Sequence, residues 1–197
     1  MLFSKYQAIP YDVHHKQCER KYIHFVSRIA VISSSVNNSQ QFYQSHSRKI
    51  SSMCMHPSKM IVATAEADQH PSIHIWSVLD LAPLSIFKTQ HENGVVNMRF
   101  SFDGFYLISI SADKSYSIQV TNWREEELVC FRNTSHEPVL DLVVDPYNKY
   151  KFATCGYDWV KIWQIDGKGL LITDSVKVSE AIGHEIYITC IEYIYYL

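Results

Sequence analysis

Long apolar runs, paired cysteines, phosphate-binding glycines and a basic surplus are all missing from this chain, and each absence removes a class of function. The longest apolar stretches, such as Ile23 to Val31, are broken by His24, Ser27 and Arg28. None approaches the roughly 20 apolar residues that a membrane-spanning helix requires. The start, Met-Leu-Phe-Ser-Lys-Tyr-Gln, lacks the basic-then-apolar order of a secretory signal. No membrane role is expected. The five cysteines, Cys18, Cys54, Cys130, Cys155 and Cys190, stand singly with no CxxC. An odd count without a framework fits reduced thiols in the cytoplasm. Three of them lie in apolar strand-like runs, where a free cysteine acts as a small buried hydrophobe. Among only six glycines neither GxGxxG nor GxxxxGK occurs, which sets nucleotide hydrolysis aside. Eighteen basic against 20 acidic residues give a net charge of −2, the wrong balance for a nucleic-acid binder.

What remains is hydrophobic enough to fold. Apolar residues make up 47% of the 197, and charged residues only 19%, so a buried core is expected and a disordered chain is not. The order within that composition is a repeat. His46, His91, His136 and His184 are spaced 45, 45 and 48 apart. Eighteen residues after each of the first three comes a small hydroxyl: Thr64, Ser109 and Thr154. Four further on comes an aspartate: Asp68, Asp113 and Asp158. A turn separates histidine from hydroxyl each time, at His56-Pro57, at Ser101 to Gly104 and at Asp145-Pro146. Alternating strands follow the aspartates, at Ile73 to Trp76, Tyr116 to Val120 and Val160 to Trp163.

The intervals read as short strands: Ile50 to Met55, Val95 to Phe100 and Val139 to Val144 before the turns, Met60 to Ala65, Tyr106 to Ser111 and Lys151 to Cys155 after them. A fourth run, Leu84 to Lys88, Leu128 to Arg132 or Leu170 to Val176, closes each unit. Four strands in about 45 residues is the period of a propeller blade, and no stretch carries a sustained helical stripe. The expected fold is all-β.

Other constellations are weaker. Serine, histidine and aspartate recur together, but a hydrolase nucleophile needs one strained, exposed setting such as G-x-S-x-G, and three copies at one spacing speak for architecture. His14-His15 with Cys18, and Cys54 with His56, carry metal-ligating side chains without the four converging ligands of a zinc site. No catalytic residue, metal or cofactor is therefore expected.

This repeat resembles a WD40 β-propeller blade, and the resemblance spans most of the chain. Its most specific marks are His136, Thr154, Asp158 and Trp163 in the third unit, and the first unit has the same set in His46, Thr64, Asp68 and Trp76. The resemblance implies that the four types form a hydrogen-bonded structural relay within one blade. The second unit has His91, Ser109 and Asp113, but Val120 takes the tryptophan slot and Trp123 follows three residues later, so its relay is expected to lack the indole contact.

Residues Lys21 to Tyr43 hold two more alternating runs and read as the end of a preceding blade whose beginning is cut short. From Phe25-Val26 through Ile29 to Ile32, Gln40 to His46, Met53-Cys-Met-His56-Pro57 and Ile61-Val-Ala-Thr64-Ala65, the order resembles echinoderm microtubule-associated protein-like (EMAP-like) proteins. The similarity continues through Pro71 to Leu81, Val96 to Ser101 and Thr154-Cys155-Gly156.

The expected organisation is an N-terminal segment at 1–20, the end of a blade at 21–45, blades at 46–90, 91–135 and 136–183, and the start of another at 184–197. About three full blades leave sheet edges open. The chain is therefore expected to be a piece of a longer one or to be completed by other blades or chains that close the ring. The EMAP-like resemblance implies a non-enzymatic scaffold that binds tubulin, microtubules or other axonemal proteins, in the cytoplasm and cytoskeleton and in the axoneme of a cilium or flagellum. Because tubulin's surface is acidic and this chain is not basic, shape-complementary contacts such as those inside the microtubule lumen are favoured over electrostatic ones. Arg48 and Lys49, beside a relay histidine, are the candidate partner-facing pair. A generic WD40 adaptor in another multiprotein complex is the rival reading.

Overall fold

The computed structural model describes residues 9–11, 21–134, 138–167 and 169–177, and these contain strands and turns and no helix. Four antiparallel sheets of four strands follow one another along the chain. The first is β1 (Ile9–Tyr11), β2 (Lys21–Val26), β3 (Ile29–Ser34) and β4 (Ser39–Tyr43). The second is β5 (Ile50–Met55), β6 (Ile61–Glu66), β7 (Ser72–Ser77) and β8 (Pro83–Lys88). The third is β9 (Val95–Phe100), β10 (Tyr106–Ser111), β11 (Ile118–Asn122) and β12 (Glu127–Arg132). The fourth is β13 (Asp141–Val144), β14 (Lys151–Gly156), β15 (Trp159–Asp166) and β16 (Gly169–Lys177).

Burial explains why the strands do not all alternate. From Val62 to Glu66 every residue of β6 is buried, because neighbouring sheets cover both of its faces. The corresponding β10 and β14 are equally enclosed. Outer strands such as β8 keep the exposed-buried alternation of a sheet margin. The first strands line up side by side, β5 next to β9 and β9 next to β13.

Three apolar clusters glue successive sheets face to face. Ile23, Ile32, Met53 and Trp76 fill the first gap. Ala63, Ile75, Met98 and Trp123 fill the second, and Ile108, Val120, Phe152 and Trp163 the third. Cys54 and Cys130 lie in these layers and Cys155 is buried on β14, and burial pushes the Cys54 thiol up to about 12.

Two expectations need correction. The sheet before His46 is not cut short, since Ile9–Tyr11 pairs with Lys21–Ile23 and supplies its first strand; the boundary placed between residues 20 and 21 divides a sheet. Pro10 hid it, because a strand of three residues with a proline at its centre gives no alternation to read. The second concerns the tryptophan slot. A β-bulge recurs between the third and fourth strands, at Ile75/Trp76, Val120/Thr121 and Ile162/Trp163. Trp76, Thr121 and Trp163 pair with the residues two before the hydroxyl, Val62, Leu107 and Phe152. Thr121, not Val120, therefore occupies the slot, and a slip of one residue reverses the face. The expected blade start at 184–197 lies outside the described residues.

Candidate functional site

The relay in the second sheet is assembled from three elements. Residue types two apart share a face of a strand, so Thr64 and Glu66 of β6 point the same way, and His74 and Trp76 of β7 lie beside them. His46, in the loop after β4, reaches over this face. Its Nε2 is 2.7 Å from Thr64 Oγ1, which also accepts the Trp76 indole N–H at 3.1 Å. His46 Nδ1 lies 3.4 Å from Glu66 Oε1. Thr64 and Trp76 are fully buried and His46 nearly so.

Asp68 does not join the relay. It lies beyond the end of β6, with Oδ2 2.8 Å from Arg48 Nε in a half-exposed ion pair. Glu66 is the acid in its place, and its Oε1 also accepts the backbone N–H groups of Ser47 and Arg48 at 3.0 and 3.1 Å and the Ser47 hydroxyl at 3.2 Å. Burial raises the Glu66 carboxyl, but these hydrogen bonds outweigh it and hold the group below its ordinary range. Burial lowers His46, against the pull of Glu66. It lowers His74 to about 4, helped by His46.

The third sheet builds its relay from hydroxyls. His91, fully buried, has Nε2 2.9 Å from Ser109 Oγ and Nδ1 2.8 Å from Ser117 Oγ. Asp113 turns instead to Ser115, whose backbone N–H it accepts at 2.8 Å. In place of an indole, Thr121 accepts the Gln119 amide at 2.9 Å, while the Gln119 carbonyl oxygen accepts the Gln90 N–H at 2.7 Å. Burial lowers His91 to about 4. Trp123 donates its indole N–H to the Gly104 carbonyl at 2.8 Å, the same oxygen that His56 Nε2 approaches at 3.1 Å from the neighbouring sheet. Gly104 sits at φ +72°, and a Cβ there would lie 1.9 Å from the His56 ring.

In the fourth sheet the Trp163 indole N–H donates to Thr154 Oγ1 at 2.8 Å. His136 lies outside the described residues. Asp158 occupies the tight turn before β15 with φ +64°, a left-handed conformation that aspartate tolerates better than most residues. Arg48 and Lys49 are both exposed.

Sequence reading missed Glu66, His74, Ser117, Gln119 and Thr121. Alternation along β6 could have found Glu66, two residues after Thr64. Of the expected metal-type groups, His14, His15 and Cys18 lie outside the described residues, and both ring nitrogens of His56 are engaged, by Ser58 Oγ at 2.8 Å and by Gly104. None of the relay hydroxyls has the exposed setting of a nucleophile.

This arrangement of stacked four-stranded sheets is that of WD40 repeats. The solved structure of RRP9 WD40 repeats superposes with a TM-score of 0.58 and 20% identity, over 68% of this chain and 40% of that one. The 77 kDa echinoderm microtubule-associated protein of Lytechinus variegatus is 22% identical over 158 residues, 76% of this chain and 24% of that protein. Cilia- and flagella-associated protein 44 of Mus musculus is 26% identical over 130 residues, 66% of this chain and 7% of that protein. The chain thus spans about a quarter of the first relative's length and far less of the second's. The family model described as the echinoderm microtubule-associated protein first beta-propeller matches residues 39–195, from β4 through all three relays. The chain belongs to that family of WD40 propellers.

Proposed function

We propose that this propeller segment is a non-enzymatic scaffold that docks on tubulin or on other axonemal proteins, in the cytoskeleton and in cilia or flagella. The observation that carries the scaffold reading is the burial of the described relay groups: His46, Thr64 and Trp76 bond to one another, as do His91 and Ser109, and none of these hydroxyls reaches solvent. The microtubule part rests on family membership over most of the chain and on relatives named as microtubule-associated and cilia- and flagella-associated proteins.

The surface suits protein contact. The turns between the first two strands of the third and fourth sheets bring Phe105, Lys149 and Tyr150 together. Lys149 Nζ stands 5.0 Å over the Phe105 ring and 5.3 Å over that of Tyr150. Tyr147 in the same turn is 77% exposed. Exposed tyrosines are frequent anchors of interfaces. Arg48, already paired with Asp68, and Lys49 add a second exposed patch. Further blades of a longer polypeptide, or neighbouring chains, would cover the outer sheet faces, since rings typically close with four to eight blades.

Co-sedimentation with microtubules at low and moderate salt tests this. A net charge of −2 leaves little electrostatic attraction to acidic tubulin, so pelleting independent of salt is expected. Loss of pelleting at moderate salt would overturn the shape-complementary, lumenal reading. Failure to pellet at any salt, with capture of non-cytoskeletal partners instead, would favour a general adaptor.

A further inference from the structure

We propose that His46, Glu66 and His74 form a binding site for one divalent transition metal of the zinc class, which staples the loop after β4 to the face of β6 and β7. The repeat itself accounts for only one of the three. His46 has its counterpart in His91, but the ladder sets Glu66 against Ser111 and Gly156, and His74 against Gln119 and Lys161. Two departures from the repeat thus converge on one relay histidine, and both bring metal-ligating side chains. One ligand atom from each of the three lies within 4.8 Å of the others, and all three residues are buried.

The geometry agrees with shared coordination better than with a simple hydrogen bond. A charge-assisted N–H···O contact is about 2.7–2.9 Å, whereas His46 Nδ1 and Glu66 Oε1 are 3.4 Å apart. Two ligands of one tetrahedral zinc, each about 2.0–2.1 Å from the ion, are separated by about 3.4 Å. When His46 donates Nε2–H to Thr64, its Nδ1 turns a lone pair toward the Glu66 carboxylate. Two acceptors then face each other, and a cation resolves the conflict. Thr64 becomes the outer partner that fixes the tautomer and ring orientation of a metal-binding histidine. The His46 and His74 rings stack with centroids 3.8 Å apart, and Tyr43 Oη lies 3.1 Å from His74 Nδ1, so His74 joins the sphere by rotating out of the stack to turn Nε2 to the ion, with water completing it. Two imidazoles and one carboxylate suit zinc among the abundant divalent ions.

This inference stands apart from the microtubule reading. Its test is titration of the chelator-treated 197-residue chain with Co²⁺, followed by displacement with Zn²⁺. His14→Ala, His15→Ala and Cys18→Ala are introduced together to remove the other candidate donors. One equivalent of cobalt with the visible absorption of a tetrahedral site is expected. A rise in Tm of roughly 5–10 °C is expected at a hundredfold excess of zinc over Kd. His74→Gln, which installs the residue the third sheet carries there, should weaken binding at least a hundredfold while leaving the His46–Thr64–Trp76 bonds in place. Glu66→Gln, which keeps an acceptor for Ser47 and Arg48, should weaken it at least tenfold. An absence of cobalt binding, or binding and Tm gains unchanged in both variants, would overturn the proposal.

Discussion

The relays of the second and third sheets share a histidine, a hydroxyl and an 18-residue spacing, yet they are finished with different chemistry. Around His46 the closure is aromatic and acidic: Trp76 donates to Thr64, Tyr43 stacks on Trp76 with ring centroids 4.6 Å apart, and Glu66 gathers the loop backbone. Around His91 it is made of Ser109, Ser117, Gln119 and Thr121, with no ring donor. A blade therefore requires a satisfied polar face, not a particular residue set, because the cost being avoided is that of a buried group without a partner.

The comparison can be broken at its largest difference first. Trp76→Ala removes a fully buried indole from the first apolar cluster and should cost about 3–5 kcal/mol. Thr121→Ala in the same slot should cost about 1 kcal/mol. Urea unfolding of the two variants measures both, and equal losses would show that the slot matters more than its occupant. Next, Thr64→Val removes the partner of both the Trp76 indole N–H and His46 Nε2, where Ser109→Ala removes the partner of His91 Nε2 alone. At about 1–3 kcal/mol for each buried group left unpaired, the first variant should be close to twice as damaging in the same assay.

Acid should then separate the relays less than either substitution does. His74 and His91 are both held near 4, below their unfolded value of about 6.5. The unfolded chain thus binds more protons across this window. Stability is full above about pH 6.5 and falls as pH drops toward 4, by on the order of 1 kcal/mol per histidine at pH 5.5. Thermal melts at pH 7.5 and 5.5 should show it, and His91→Gln should remove part of the slope. The smallest effect belongs to the exposed pair: Arg48→Ala should change stability by less than about 1 kcal/mol. If it changes microtubule pelleting while the melt stays fixed, Arg48 acts at a partner surface.

Much of this was readable from residue order alone. Ile50–Met55, Val95–Phe100 and Tyr106–Ser111 fall where alternation and turn residues place them, and the all-β propeller follows from the 45-residue period, with the resemblance of the motif residues adding the WD40 blade. The relay acids were not readable from spacing. An aspartate stands four residues after each hydroxyl, but the turn that follows differs in length in each sheet, so a constant interval does not carry a constant position. In the second and third sheets, Asp68 reaches Arg48 and Asp113 reaches Ser115 instead. Which of Val120 and Thr121 faces the relay is decided by the β10–β11 register, Leu107 opposite Thr121 and Ser109 opposite Gln119, which the length of the intervening turn sets and no local residue pattern announces.

The carbonyl of Gly104 receives the Trp123 indole from its own sheet and His56 from the sheet before it. An acceptor shared in this way makes neighbouring blades poor candidates for independent opening. Hydrogen-exchange protection at Trp123 and along β5 should rise and fall together, so that local loosening in one repeat is felt as breathing in the next.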